Sequence, residues 1–481
     1  MSDRSGSGLY SVFDRTITNW LGTWRDIAAS ARGVLSGTPK PELSVDDAER
    51  LRQQLRACLD GRGGEVSARA RAADLGRTYL ALNGDGRERF LRLLAVEFDI
   101  DGRAVRDLCR RLVETSDPAE RARLERMLRA ALDAPRVRLL THFNALPEGV
   151  KFLVDMRAEI MALARGDAVL SGLDHDLKGL LAGWFDIGFL ELKRITWDAA
   201  ASLLEKLMRY EAVHEIRSWT DLKNRLEADR RCFAYFHPRM PDEPLIFVEV
   251  ALVQGMSGNV QTLLDETAPV GDPAAADTAI FYSISNCQTG LAGISFGDFL
   301  IKRVVDHLAA ELPHLKTYAT LSPVPGFRAW LSRGLAEGGG GGLLPEEVEL
   351  VEAAQGDAGG GLAALLARAD WRRDEAASAA LEAILPRLCA QYLLQGKTPS
   401  GRALDPVAHF HLSNGARVER LNWLGDTSPK GMEQSLGLMA NYLYRLPDIE
   451  RNHEAYVGEG VVAASSTLTR LADAGPARDA G

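Results

Sequence analysis

The feature that most constrains this 481-residue chain is a change in the pattern of apolar residues near residue 190. Residues 44–190 carry apolar side chains at helical spacing, with helix-start signals at Ser44 and at Asp117-Pro118. After residue 191, short runs rich in Val, Ile, Phe and Tyr alternate with helical segments. The sequence therefore predicts an all-helical domain followed by a mixed α/β or α+β domain.

We divide the chain into four predicted segments on this basis. They are an N-terminal extension with partly helical spacing (1–43), a helical domain (44–190), a mixed domain (191–462) and a flexible tail (463–481). Two glycine tracts within 337–370 predict a flexible surface insertion. The predicted strands are 232–236, 245–253, 279–285, 317–321, 407–412 and 418–423. Helices are predicted at 199–210, 219–228, 299–312, 345–354 and 374–391, and 439–444 is interpreted as helix residues that pack on the core.

Composition and charge exclude several classes of protein. The formal net charge is −9, with 57 Lys and Arg against 66 Asp and Glu, which argues against a globally basic nucleic-acid binder. No apolar stretch approaches the ~18–20 residues of a membrane span. The five cysteines are widely spaced without a CxxC pair, as expected of reduced thiols in the cytoplasm. The N-terminus does not resemble a secretory signal and is a poor transit peptide, so we expect a cytoplasmic protein.

The predicted strand 279–285 leads through a glycine-containing loop into the predicted helix 299–312. Such a junction directs backbone N–H groups at one point, which suits a phosphate or pyrophosphate, although a tight turn without a ligand gives the same pattern. Lys302 lies one turn into the helix and can add positive charge. The candidate loop residues are Gln288, Thr289, Gly290, Leu291, Ala292, Gly293, Ile294 and Ser295.

The same loop contains a match to the nucleophile elbow of serine hydrolases. Gly293-Ile-Ser295-Phe-Gly297 fits G-x-S-x-G, and Asp405, His409 and His411 follow in the chain order of a triad. Five-residue matches are frequent by chance, and the upstream alternation of strands and helices that this fold needs is not evident. A serine hydrolase that uses Ser295 therefore remains an alternative.

Two further clusters are candidates for chemistry. Ser322 follows a predicted strand and precedes a turn rich in Pro and Gly, so it is either exposed at a strand end or a cap of the turn. The alternation in 407–412 places His409 and His411 on one strand face, before a hairpin at Asn414-Gly415. The pair could ligate a metal, one histidine could work with a serine, or both could be packing residues. No third ligand is evident, so we predict no metal site.

Long motifs in these segments resemble those of the malonyl-CoA decarboxylase family. They include Phe143-Asn-Ala-Leu-Pro-Glu-Gly-Val-Lys, Leu190-Glu-Leu-Lys-Arg-Ile-Thr-Trp, Leu321-Ser-Pro-Val-Pro-Gly-Phe, Asp405-Pro-Val-Ala-His-Phe-His-Leu-Ser-Asn-Gly-Ala and Asn441-Tyr-Leu-Tyr. The resemblance extends from about Thr141 to Tyr444 and is specific, because the motifs are long and occur in the same order.

The resemblance implies a helical domain followed by a catalytic domain of the GNAT (acetyltransferase) fold. It also implies conversion of malonyl-CoA to acetyl-CoA and CO2 through an enolate, without a cofactor, since CoA is part of the substrate. Ser322 and His411 would be the catalytic pair, with Asn441 and Tyr444 beside them and residues 288–297 around the CoA pyrophosphate. His411 would donate a proton from a pKa near neutrality.

The resemblance further implies a homo-oligomer, for which a tetramer is one expectation. From the net charge and the lack of a long apolar stretch, we expect no nucleic-acid or membrane partner. The high Ala and Arg content suggests a bacterial cytoplasmic form. An acyltransferase on the same fold, and a CoA-sensing protein without turnover, remain the rival functions at this point.

Overall fold

The computed structural model describes residues 39–60, 64–294, 300–337, 342–355 and 359–474. Two compact units are present. The first comprises Met1–Leu190, His237–Pro241 and Gln288–Ser295, and the second comprises Glu191–Phe236, Asp242–Cys287 and Phe296–Gly481. Most of the predicted N-terminal extension (1–38) and the end of the predicted tail (475–481) lie outside the described residues.

The described part of the first unit is built from helices. These are α1 (Val45–Leu59), α2 (Gly64–Ala81), α3 (Gly84–Glu97), α4 (Gly102–Glu114), α5 (Pro118–Ala131), α6 (Pro135–Asn144), α7 (Gly149–Leu163) and α8 (Ala168–Trp184). Ser44 caps α1 by accepting a hydrogen bond from the amide of Asp47, and Asp117 caps α5 before Pro118. Both predicted helix starts are therefore confirmed.

Aromatic side chains form part of the core of this helical unit. The ring of Tyr79 meets those of Phe90 and Phe152 edge-on, at centroid distances of 5.1 and 5.7 Å. The Tyr79 hydroxyl donates to a carboxylate oxygen of Glu159 at 2.6 Å, so its polar end is satisfied where the ring is buried.

The second unit combines a sheet with helices. Its strands are β1 (Glu191–Ile195), β2 (Arg230–Phe236), β3 (Ile246–Val253), β4 (Thr278–Asn286), β5 (Thr317–Thr320), β6 (Ser322–Pro323), β7 (Arg417–Asn422) and β8 (Met439–Leu443). Its helices are α9 (Ala201–Tyr210), α10 (Trp219–Asn224), α11 (Val260–Leu263), α12 (Leu300–Glu311), α13 (Phe327–Ala336), α14 (Pro345–Gln355), α15 (Gly361–Ala367), α16 (Glu375–Gln395), α17 (Pro406–Ser413), α18 (Pro429–Ser435), α19 (Ile449–Glu459) and α20 (Ser466–Asp473).

The strands form one mixed sheet in the order β1-β2-β3-β4-β5-β8-β6, with β7 also paired to β8. Strands β4 and β5 run parallel, and the other pairings are antiparallel. Strands β2 and β3 are buried almost throughout, which accounts for their nearly continuous apolar sequence. A helical region followed by a mixed-sheet region confirms the expected fold class.

Two predicted elements are wrong. Residues 407–412 are not a strand but the interior of helix α17, because Asp405 caps it and Pro406 occupies its first position. Consequently, no hairpin follows, and Asn414 is instead the C-cap of this helix. Residues 439–444 are not helical, since Met439–Leu443 form strand β8 between β5 and β6.

The predictions of a flexible insertion and a flexible tail also need correction. In the described part of 337–370, α14 and α15 are regular helices, and buried Glu347 of α14 pairs with buried Arg387 of α16. In the tail, α20 buries Leu468 and Ala472. Both segments contain apolar positions at helical spacing together with alanine, which favours helices, and these outweigh the glycine content. Among the described helices, none has both the length and the apolar character needed to cross a bilayer.

Candidate active site

Ser322 lies where the two parallel strands β4 and β5 separate and leave a wedge-shaped gap between them. Strands β4 and β5 pair from Thr278↔Thr317 to Phe281↔Thr320, and the amide of Leu321 donates to the carbonyl of Phe281 at 2.9 Å. Beyond this point β4 continues to Asn286, whereas Ser322 pairs with Ala440 of β8. The two strands therefore diverge, and the space between them is open to a ligand.

A pocket of about 210 Å³ occupies this wedge. Its lining residues are Val213, Phe281, Tyr282, Ser283, Ile284, Asn286, Ser322, Pro323, Pro406, Val407, Phe410 and His411. Within the described residues, this lining includes hydroxyl, amide and imidazole groups but no Lys, Arg, Asp or Glu. A negatively charged group that enters the pocket loses water without gaining a salt bridge from these lining side chains.

Helix α17 brings His411 to the pocket. The Nε2 atom of His411 lies 3.0 Å from Oγ of Ser322, although the two residues are 89 positions apart. His409 is two residues away, which on a helix is about 200° around the axis. Its Nδ1 atom lies 2.8 Å from the hydroxyl of Tyr456. The prediction that both histidines share one face is therefore wrong, because it assumed a strand.

A continuous hydrogen-bonded chain passes through the pair. The Nδ1 atom of His411 lies 2.8 Å from the hydroxyl of Tyr444, and Oγ of Ser322 donates to Oγ1 of Thr320 at 2.8 Å. The same Thr320 oxygen accepts the backbone N–H of Tyr442 at 3.1 Å. The chain thus runs from Tyr444 through His411 and Ser322 to Thr320.

Burial determines the protonation states in this chain. His411 is 2% exposed, and its imidazole stacks on the ring of Tyr442 at a centroid distance of 4.5 Å. Burial lowers the pKa of His411 to about 3 and raises the pKa of Tyr444 well above its usual value. Both groups are therefore neutral at pH 7, and the expected near-neutral pKa of His411 is wrong.

The neutral states also determine where the protons lie. Because the hydroxyl of Ser322 donates to Thr320, its oxygen accepts from Nε2–H of His411. Nδ1 of His411 then has no proton and accepts the hydroxyl proton of Tyr444. The arrangement resembles a triad in which a neutral tyrosine takes the place of the usual carboxylate.

The loop after β4 is a closed turn that belongs to the helical unit. Within residues 288–294, the amides of Leu291, Ala292 and Ile294 each donate to the carbonyl three residues earlier. Nη1 of buried Arg157 donates to the carbonyls of Gly290 and Ala292 at 2.6 and 3.0 Å. The loop is therefore held by a helical-unit arginine, and much of its amide capacity is used internally.

Glycines are required where this loop approaches the helices. A Cβ atom at Gly290 would lie 1.7 Å from the carbonyl oxygen of Val154 in α7, which is impossible without movement. Gly293 has φ of +71°, and a Cβ there would lie 3.2 Å from Nζ of Lys178 in α8. A cationic side chain thus lies beside the exposed part of the loop.

Comparison with known proteins identifies the family. Residues 98–185 match the malonyl-CoA decarboxylase N-terminal domain, and residues 188–479 match the malonyl-CoA decarboxylase C-terminal domain. The mitochondrial malonyl-CoA decarboxylase of Anser anser anser is 38% identical over 421 residues, which cover 83% of each chain. That of Rattus norvegicus is 39% identical over 361 residues, which cover 72% of this chain and 73% of the relative. The chain belongs to the malonyl-CoA decarboxylase family.

A solved structure of the family agrees with the fold. The crystal structure of malonyl-CoA decarboxylase from Rhodopseudomonas palustris is 42% identical, with a TM-score of 0.80 over 88% of this chain and 99% of that one. The family assignment from the sequence motifs is therefore confirmed, and the comparisons do not favour an acyltransferase or a serine hydrolase.

The structure also constrains the hydrolase alternative. Ser295 lies outside the described residues, so the elbow match has no described geometry. The carboxylate of Asp405 accepts the amides of Val407 and Ala408 in its own helix, and Nδ1 of His411 is bonded to Tyr444. The predicted Ser…Asp…His order therefore does not form a triad through Asp405.

Two other predicted site residues have contacts away from Ser322 and His411. The side-chain amide of Asn441 donates to the carbonyls of Thr320 and Ser257, so it links β8 to the strand that precedes Ser322. Nζ of Lys302 lies 2.7 Å from a carboxylate oxygen of Glu450. Their predicted roles stay predictions, and for Asn441 the contacts indicate positioning of the backbone.

Sequence reasoning missed Thr320 and Arg157. Thr320 is fully buried and contacts Ser322, but a threonine near the end of a strand is common and gives no signal by itself. Arg157 is 2% exposed and bonds to a loop more than 130 residues later in the chain. The available signal in the sequence is an arginine at a position that helical spacing places among apolar residues, where a charged side chain is rare unless it is paired.

Proposed function

We propose that this chain converts malonyl-CoA to acetyl-CoA and CO2 in the β4/β5 pocket, with Ser322 and His411 as the catalytic pair. The observation that carries the proposal is the chemistry of the pocket. Two neutral hydrogen-bond donors face a wall without a charged side chain among its described lining residues. This environment opposes a carboxylate and suits the loss of neutral CO2.

The electrons move within the substrate. The bond between the α-carbon and the carboxylate breaks, its electron pair forms the enolate double bond, and the thioester oxygen takes the charge. We propose that, when the thioester oxygen enters the pocket, the hydroxyl of Ser322 turns to it from Thr320 and Nε2–H of His411 turns to it from Oγ of Ser322. Both groups then donate to that oxygen and stabilise the charge as it develops. The thioester accepts the electrons, so we propose that no cofactor or metal is needed.

Reprotonation of the α-carbon can use the same chain. We propose that Nε2–H of His411 gives its proton to the enolate carbon while Nδ1 takes the hydroxyl proton of Tyr444. An enolate carbon is a much stronger base than a tyrosinate, so the transfer is favourable although both donors start neutral. Nδ1–H then returns its proton to the oxygen of Tyr444 while Nε2 takes a proton from water in the pocket, which restores the starting tautomer, and one proton is consumed for each CO2 released.

The remaining assignments are proposals of the same kind. We propose that residues 288–295 and Lys302 bind the CoA part, supported by the loop that follows β4 and by Lys178 beside it. The domain limits of 44–190 and 191–462 stay predictions, and helix α20 lies beyond the second of them. We also propose a cytoplasmic homo-oligomer, for which a tetramer is one form; the curated relatives cited above are named as mitochondrial.

Steady-state kinetics with matched variants test the catalytic pair. We expect Ser322→Ala and His411→Gln to lower kcat by at least about 100-fold, because each removes a donor to the developing oxyanion. His409→Ala is the control, since His409 lies on the same helix but bonds to Tyr456. Intact malonyl-CoA after incubation with the wild type, or equal kcat values in all four proteins, would refute the proposal.

A further inference from the structure

We propose that Asp405 is a positioning residue whose one carboxylate fixes both segments that carry the catalytic pair. It acts through His411 and Ser322 and contacts neither side chain. The inference deepens the proposed function and rests on it. The observation behind it is that the two oxygens of this buried carboxylate bond to two different parts of the second unit.

The first oxygen fixes the helix of His411. Oδ1 of Asp405 accepts the amides of Val407 and Ala408 at 2.9 and 3.0 Å, which caps the N-terminus of α17. Asp405 is fully buried, and His411 follows six residues later on a helix of eight residues. In so short a helix, the cap determines the direction in which the imidazole points.

The second oxygen fixes the turn after Ser322. Oδ2 of Asp405 accepts the amide of Gly326 and the hydroxyl of Tyr392, both at 3.3 Å. Gly326 ends the turn that begins at Ser322 and Pro323. A Cβ atom at Gly326 would lie 2.1 Å from the hydroxyl oxygen of Tyr392, so only glycine lets this backbone reach the carboxylate.

Tyr392 joins the arrangement to helix α16. Burial raises the pKa of Tyr392, so its hydroxyl is neutral and donates to the carboxylate. The carboxylate therefore receives four donors from three segments: the start of α17, the turn after Ser322, and α16. The distance between Oγ of Ser322 and Nε2 of His411 depends on the relative placement of the first two segments.

An ordinary helix cap in the same chain provides the comparison. Asp117 precedes Pro118 as Asp405 precedes Pro406, and its carboxylate accepts the amides of Ala119 and Glu120. Asp117 is exposed, and both of these bonds stay within its own helix. The two sites thus share the cap and differ in the bonds made to Gly326 and Tyr392.

The test is Asp405→Asn in the full chain, with Asp117→Asn as control. Asparagine keeps the oxygen that caps α17 but cannot accept the amide of Gly326. We expect kcat for malonyl-CoA to fall about 10–100-fold with KM changed less than about 3-fold, while Asp117→Asn retains wild-type kcat. Wild-type kcat in Asp405→Asn, or equal losses in both variants, would overturn the inference.

A readout independent of turnover separates this inference from the proposed function. Imidazole ¹⁵N signals of His411, assigned by their loss in His411→Gln, should shift in Asp405→Asn and stay unchanged in Asp117→Asn. If the wild type produces no acetyl-CoA, the proposed function fails, and unchanged signals in Asp405→Asn would refute the positioning role on its own. If Asp405→Asn does not fold, Tyr392→Phe should lower kcat about 2–10-fold, and wild-type kcat there contradicts the inference.

Discussion

The neutral state of His411 predicts how the stability of the second unit responds to acid. Burial lowers the pKa of His411 from 6.5 to about 3 in the folded protein. Below pH 6.5 the unfolded chain takes up a proton at this residue and the folded chain does not. The free energy of unfolding is therefore not reduced by His411 above pH 6.5, and this residue lowers it progressively as the pH falls towards 3.

The size of the effect follows from the two pKa values. Between pH 7.5 and pH 5, a group with these values removes about 2 kcal/mol from the free energy of unfolding, since each pH unit below 6.5 contributes about 1.4 kcal/mol. For a unit of this size, that corresponds to a lowering of the unfolding temperature by roughly 3–4 °C.

The assay compares the wild type with His411→Gln by calorimetry at both pH values. Glutamine does not titrate, and all other histidines, including His214 with its pKa lowered to about 4, are present in both proteins. We expect the wild type to lose roughly 3–4 °C more than His411→Gln on acidification. Equal losses of unfolding temperature in the two proteins would show that folded His411 takes up a proton near its usual pKa. That result would contradict the proposal that a neutral His411 is the hydrogen-bond and proton donor.

Three further variants test the surroundings of the pair and of the loop. Tyr444→Phe leaves Nδ1 of His411 without its donor, so we expect kcat to fall about 10–100-fold with little change in KM. A rise in KM alone would contradict the proposal that Tyr444 passes a proton to His411. Thr320→Val removes the acceptor of the Ser322 proton and should cost about 1–3 kcal/mol in a denaturation experiment; unchanged stability would argue against this bond. Gly290→Ala should lower the unfolding temperature and weaken CoA binding in calorimetric titration, because its Cβ collides with Val154. Gly179→Ala, which has open space at its Cβ, should do neither. Equal behaviour of the two variants would refute the close approach of Gly290 to Val154.

The sequence predicted the fold class and most strands because local patterns determine them. The predicted strands 232–236, 245–253 and 279–285 are confirmed as β2, β3 and β4. Each was recognisable because it is a β-branched and aromatic run with polar borders. Residues 407–412 were assigned to the wrong state because Val, Phe and His alternate there. The cap at Asp405-Pro406, the same signal that correctly predicted α5 at Asp117-Pro118, was the deciding feature.

The candidate site was only partly predictable. Ser322 and His411 were named from motifs, and the structure brings them within 3.0 Å, but their catalytic role stays a prediction. The neutral state of His411 could not be predicted, because it depends on burial among residues distant in sequence. The wedge between β4 and β5 could not be predicted either, since it arises where Ser322 changes its pairing partner to β8.

The most direct test of the central claim is to incubate the full chain with malonyl-CoA in ²H₂O, without metal or acceptor, and to follow the products by mass spectrometry. Decarboxylation through an enolate predicts CO2 together with acetyl-CoA that carries one solvent deuterium in its methyl group, formed at least about 100-fold more slowly by Ser322→Ala. Malonyl-CoA that stays intact, or acetyl-CoA formed as fast by Ser322→Ala as by the wild type, would contradict the account.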